Sequence, residues 1–181
     1  MKNLNIPFFS QLDPSIPAEH QRKVCALACT KMILDSKGES ISFERLFEEA
    51  SIVGNYEKAG WSHETVVRLL RNHKVLAYKQ EFLAHDISFE TRLGVVAKHT
   101  EQFLQFGIQK IKQSINKGNP VIISVRAGFS DNKGDHMILV IGYENNVLLI
   151  LDPILSQEQN PKLISIDELK KFWKNFAIFT E

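Results

Sequence analysis

The chain has 181 residues, 44% of them hydrophobic, with 22 Lys and Arg against 21 Asp and Glu for a formal net charge of +1. That length and apolar content suit a single domain, 1–181, around one sizeable core. The balanced charge, with no long run of either sign, excludes nucleic acid and anionic membranes as expected partners. No stretch approaches the ~20 apolar residues that span a bilayer, and "MKNLNIPFFSQLDP" lacks the apolar centre of a signal peptide. The expectation is a soluble, cytoplasmic chain as given, or a secreted one if a signal peptide has been removed.

In chain order, Val24 to Ser36 reads as a helix stopped by Gly38. "SFERLFEEAS" follows as a second, with Ser42 as N-cap, and "SHETVVRLLRNHK" as a third, with Ser62 in the same role. Residues 75–99 are ambiguous, with "VLAYKQEFL" as a strand or as two short pieces. "EQFLQFGIQKIKQSINKGN" resumes helical spacing through Phe103, Phe106, Ile108, Ile111 and Ile115 and ends at Gly118. The texture then changes to the short β-branched runs "NPVIISVRA", "HMILVIGYE", "NVLLILDP", "KLISI" and "NFAIFT", interrupted by one helix, "IDELKKFWKN". Helices first and antiparallel strands later predict an α+β domain, an N-terminal helical half packed on a C-terminal sheet. Any cleft belongs where the two halves meet.

Both cysteines, Cys25 and Cys29, lie in the first helix. Residues 18–23, "AEHQRK", are polar, and the apolar run begins at Val24, which places Cys25 in a first turn where free N–H groups and the helix dipole favour a thiolate. The competing start has Ser15 as N-cap and Pro17 in the first turn, leaving Cys25 in mid-helix. Cys29 is one turn further on and reads as a small core residue. Helix positions four apart hold their β-carbons about 5 to 6 Å apart, which disfavours a disulfide between them. No histidine stands at zinc-motif spacing from the cysteines or from another histidine, so neither metal nor cofactor is expected.

A reactive Cys25 needs a base. His20, His63, His73, His85 and His99 sit among polar neighbours and read as solvated surface residues. His136 instead starts a strand that is apolar on both faces. Turn residues Glu144, Asn145 and Asn146 predict that this strand pairs with "NVLLILDP". A four-residue loop at 143–146 sets His136 opposite Pro153 with Asp152 beside it, and a one-residue shift sets it opposite Asp152 itself. Facing residues have β-carbons about 4.5 to 5.5 Å apart, so a histidine and a carboxylate are expected side by side, as nucleophilic catalysis requires.

The ordered set "IPFFSQ" at 6–11, Cys25 followed by small residues and Met32, "GNPVIISV", "HMILVIGY" and "LDP" resembles the bacteriocin-processing, double-glycine leader peptidases and their stand-alone relatives, which are papain-fold cysteine peptidases. The resemblance covers about residues 6–179. It implies Cys25 as nucleophile, His136 as general base and later acid, Asp152 as the residue orienting the imidazole, and Gln11 as oxyanion donor beside the Cys25 backbone N–H. Ala26 stands where relatives carry glycine. Glu19 stands where transporter-linked relatives carry the glutamine, so Gln21 is the alternative to Gln11.

Trp61, in "KAGWSHET", reads either as a wall of the substrate cleft or as a core tryptophan, and "GFSDNKGD" at 128–135 as a lid or a connector. Three activities are compatible with these residues. The first is a thiol hydrolase acting on a peptide or protein substrate; the second, an acyltransferase or transglutaminase-like enzyme in which an amine replaces water; the third, a binding module without turnover. The retained Cys25, His136 and Asp152 favour the hydrolase.

Overall fold

The computed structural model describes residues 2–54, 56–57, 60–83, 96–130 and 134–181. Strand β1 (Lys2–Asn3) and a short helix α1 (Ala18–Gln21) precede α2 (Cys25–Ser36), α3 (Phe43–Val53), the hairpin β2 (Tyr56–Glu57) and β3 (Gly60–Trp61), and α4 (His63–Asn72). Then come β4 (Ala77–Glu81), α5 (Val96–Asn116), β5 (Val121–Arg126), β6 (Asp135–Glu144), β7 (Val147–Leu151), β8 (Lys162–Ser165), α6 (Ile166–Phe172) and β9 (Trp173–Thr180). No helix among the described residues is long and apolar enough to cross a membrane.

The predicted caps are present. Ser42 Oγ accepts the N–H of Arg45 and Ser62 Oγ that of Thr65, both at 3.2 Å, so α3 and α4 start where their first orphan donors find an acceptor. Gly38 and Gly118 take positive φ, +83° and +89°, in the left-handed region that follows α2 and α5 and that other residues adopt reluctantly. The ambiguous "VLAYKQEFL" forms β4.

The main sheet is antiparallel, in the order β4-β9-β5-β6-β7-β8 with β1 added to β6. The N-terminal helices pack on one face of it, as expected, and its other face is covered as well. Met137, Leu139 and Ile141 of β6 pack into one core with Val24, Leu27, Met32 and Leu46, while Ile138 and Val140 pack into a second with Ile111, Ile115 and Leu169. Strands apolar on both faces need two covering layers, and α5 and α6 supply the second. Helix α6 also ends at Phe172, and Trp173 opens β9 instead of continuing the helix. Burial of that indole against Gly107 and Phe82 outweighs local helix preference.

The β2–β3 hairpin bears directly on the chain before α2. Gly60 has φ +101°, and a β-carbon there would lie 2.3 Å from the carbonyl oxygen of Lys23. Gly60→Ala is therefore expected to destabilise the fold by about 1–3 kcal/mol through backbone strain alone, read as a lower urea midpoint, and to disturb the start of α2.

Candidate active site

Of the two expected starts for the cysteine helix, the later one is observed. Pro17 caps α1, the helical path is interrupted at residues 22–24, and Cys25 is the first residue of α2. The first carbonyl to accept within α2 is Val24 O, from Ala28 N–H at 2.9 Å. The N–H groups of Cys25, Ala26 and Leu27 therefore lack carbonyl partners inside the helix.

Cys25 Sγ is buried, and burial pushes the thiol up. Its hydrogen bond to the His136 ring, the charge of that ring, and the backbone N–H groups of Met137 and Ala26 outweigh this and hold its pKa below the ordinary thiol value. Cys29, fully buried in the core, is the opposite case. Burial first, then the charges of Cys25 and Asp152, raise it well above the ordinary value, and its Sγ–H donates to Met137 O at 3.5 Å. Met137 thus sorts the two thiols: its N–H supports an anion at Cys25, and its C=O takes a proton donor at Cys29.

His136 and Asp152 are 5% and 3% exposed, with His136 Nε2 2.6 Å from Asp152 Oδ1, which leaves Nδ1 as the nitrogen available to Cys25. Burial works against the charged imidazole, but the hydrogen bonds and charges of Asp152 and Cys25 prevail and raise its pKa to about 10.

The hairpin that delivers Asp152 differs from both expected registers. Its turn is two residues, Asn145 and Asn146, with Glu144 opposite Val147 and Asn145 at φ +48°, the backbone that short hairpins demand and asparagine tolerates. The pairing then shifts at Ile141 and ends at Leu139 opposite Leu151. Without that bulge, Asp152 would follow opposite Leu139, on the face away from His136. With it, Asp152 follows opposite Ile138, two residues from His136 and on its face.

Asn160, which the sequence reading did not single out, clamps this turn of chain. Its Oδ1 accepts Asp152 N–H at 2.8 Å, and its Nδ2 donates to Asp152 O at 3.1 Å and Ser156 O at 2.9 Å. Ile154 N–H donates to Asp152 Oδ1 at 3.2 Å. Nothing in the spacing of Asn160 marks it, since its partners belong to an irregular loop.

Gln11 is 1% exposed, and its backbone N–H donates to Pro153 O at 2.8 Å, next to Asp152. Its Nε2 donates to Gln21 O at 2.7 Å, and its Oε1 has no protein partner. Gln21 Nε2 donates to Ile16 O at 3.1 Å and Asp13 O at 3.5 Å. His136 thus bonds to both Cys25 and Asp152, while Gln11 is buried against Pro153 and Gln21 and is not among the cleft's lining residues.

That cleft, about 170 Å³, is lined on the helical side by Cys25 and residues 60–63, and on the sheet side by Ser124, residues 135–137, Lys174 and Phe176. Trp61 is 4% exposed, packs on Phe47 and Tyr56, and lines the cleft. Ala26 packs into the core and is not among the cleft's lining residues. Of the 128–135 segment, residues 131–133 lie outside the described residues, as do His85 and the His99 side chain.

Three histidines read as solvated surface residues are half-buried and have partners across the fold. His20 contacts Phe47 and Tyr56, His73 lies between Glu39 and Glu49, and His63 lines the cleft, stacked on Phe176. Polar sequence neighbours say nothing about contacts made across the fold. Among the described residues, no group of three or more His, Cys, Asp or Glu side chains is arranged to hold a metal ion.

A helix-terminal cysteine wedged against a histidine-bearing antiparallel sheet is the architecture of the papain-like cysteine peptidases. Solved structures agree. A C39-like peptidase from Bacillus anthracis has a TM-score of 0.65 at 17% identity, covering 100% of this chain and 98% of its own. The peptidase domain of Streptococcus ComA, a bi-functional ABC transporter, has 0.62 at 17% identity, covering 99% and 98%. A double glycine motif protease from an AMS/PCAT transporter, in complex with its leader peptide, has 0.60 at 13% identity, covering 98% and 93%. The sequence pattern of the Peptidase_C39 like family matches residues 3–179, and the chain belongs to that family of cysteine peptidases. No curated protein matches it in sequence.

Iodoacetamide near pH 6 is expected to modify Cys25 and spare Cys29, located by tandem mass spectrometry. His136→Ala should slow the reaction, since losing the ring's hydrogen bond and charge returns the thiol toward its ordinary, less ionised state. The sign of the pH dependence follows from the two shifts. Thiolate is lost as pH falls through the lowered Cys25 value, and the imidazolium is lost as pH rises through about 10, so the rate is flat between them. The stabilisation that the raised His136 pKa contributes is complete below about pH 6.5 and lost as pH rises through about 10.

Proposed function

We propose that the protein hydrolyses peptide bonds in a peptide or protein substrate through a Cys25–His136–Asp152 triad. The observation that carries this reading is the buried imidazole set between a thiol of lowered pKa and the Asp152 carboxylate, 2.6 Å from Nε2. His136 takes the Cys25 proton, and the thiolate attacks the substrate carbonyl carbon. The C–N bond breaks as His136 returns the proton to the leaving amine, forming a thioester. Water, deprotonated by His136, then attacks the thioester and releases the acid, with the proton going back to Sγ. Asp152 holds the ring in one orientation and stabilises its cation.

Gln11 and the Cys25 N–H serve as donors to the tetrahedral oxyanion. Donor accounting favours Gln11 over Gln21. An amide nitrogen has two hydrogens; Gln21 Nε2 spends both on Ile16 O and Asp13 O, whereas Gln11 Nε2 spends one on Gln21 O. That a structural neighbour was solved with a leader peptide supports a peptide as substrate.

Incubating a proteome-derived peptide library with the protein in H₂¹⁸O, and reading new termini by mass spectrometry, tests the proposal. Expected are cleavage products whose new carboxylate carries ¹⁸O, their complete loss in Cys25→Ala, and a fall of about 10²–10³-fold in kcat for Gln11→Ala with Gln21→Ala near wild type. Products joined to an added amine would assign acyl transfer instead, and cleavage that survives Cys25→Ala would overturn the triad.

A further inference from the structure

Among the described residues lining the cleft, two contacts join its helical and sheet walls. One is the contact of Cys25 with His136. The other is His63, which comes from the start of α4 in the helical wall yet bonds to the sheet wall: its Nε2 lies 2.5 Å from Ser124 Oγ, and its ring stacks on Phe176 with centroids 5.1 Å apart at 28°. The proposed triad uses neither His63 nor Ser124. Ser124 pairs directly with Met137 in the β5–β6 ladder, and Met137 is the residue whose N–H faces Cys25 Sγ. The second contact therefore lies one strand away from the nucleophile.

The space between the two contacts is small. At about 170 Å³ it falls below the ~300–1,000 Å³ of sites that hold drug-sized ligands, so it suits about one side chain. Trp61, Met137 and Phe176 give it apolar surface, and the two charged groups at its edge, Asp135 and Lys174, are paired with each other at 2.9 Å. Burial holds the His63 ring below the ordinary histidine range, which keeps that end uncharged at neutral pH.

We propose that His63 is the specificity-determining residue of the cleft: bridged to Ser124 and stacked on Phe176, it forms an end wall that restricts the pocket beside Cys25 to an uncharged substrate side chain of limited bulk. This rests on Cys25 being the nucleophile of the peptidase reading. The wall selects by size and does no chemistry, so removing it widens the pocket without changing the thiol.

Haloacetamides of graded bulk test this without a known substrate. Rates at Cys25 are measured with iodoacetamide and N-(1-naphthyl)iodoacetamide, each normalised to its rate with glutathione. In the native protein the naphthyl reagent is expected to be at least tenfold slower. In His63→Ala that discrimination, the ratio of the two normalised rates, should shrink at least fivefold. Ser124→Ala, which removes the bridge and keeps the ring, should shift it less in the same direction, and His63→Gln, which can still bond to Ser124, should restore part of it. Equal discrimination in all four proteins would overturn the end wall and leave the triad standing. A Cys25 unreactive toward both reagents would overturn the triad and the end wall with it.

Discussion

The constraint on which this structure turns is the burial of an imidazole between a thiol and a carboxylate. Each of the three groups would be costly to bury alone as an ion. Together they satisfy one another, and the backbone completes the set: Met137 and Ala26 N–H at Cys25 Sγ, Ile154 N–H at Asp152 Oδ1, and the Asn160 amide on the Asp152 main chain. Breaking one member leaves the others uncompensated in a site from which water is largely excluded.

Meeting that constraint shapes elements far apart in the chain. Helix α2 has to begin at Cys25 and point its first turn at the sheet, so α1 stops and the chain bends at residues 22–24, pressed by the Gly60 turn. Strand β6 has to carry His136 at its start while its remaining residues hold two cores apart, which is why α5 and α6 lie on the face opposite α2. The bulge at Ile141 brings the end of β7 onto the face of His136. Each of these features is modest by itself. Their joint result is a thiol of lowered pKa at Cys25 and one of raised pKa only a turn away.

The order of elements was legible because it depends on local pattern. Ser42 and Ser62 announced their helices, Gly38 and Gly118 ended theirs, and the change from helical spacing to short β-branched runs after Gly118 marked the sheet. Cys25, His136 and Asp152 could be brought together on paper because one strand is apolar on both faces and begins with a histidine. The hairpin register could not be read, since it depends on a bulge that no single residue encodes. The place of Trp173 was likewise hidden, because it follows from which large side chains find space against one another.

What the sequence by itself determined is the set of reactive groups and their places along the elements: a cysteine where polar chain becomes buried helix, and a histidine and an aspartate at the open end of one hairpin. Tertiary structure decided which face each group turns to and what environment it meets. His63 shows the difference most plainly. In sequence it is a polar residue opening a helix, indistinguishable from a solvated one, and in the fold it joins the two walls of the cleft. Periodicity fixes a side chain's direction relative to its own element, but only packing between elements decides what lies at the end of that direction.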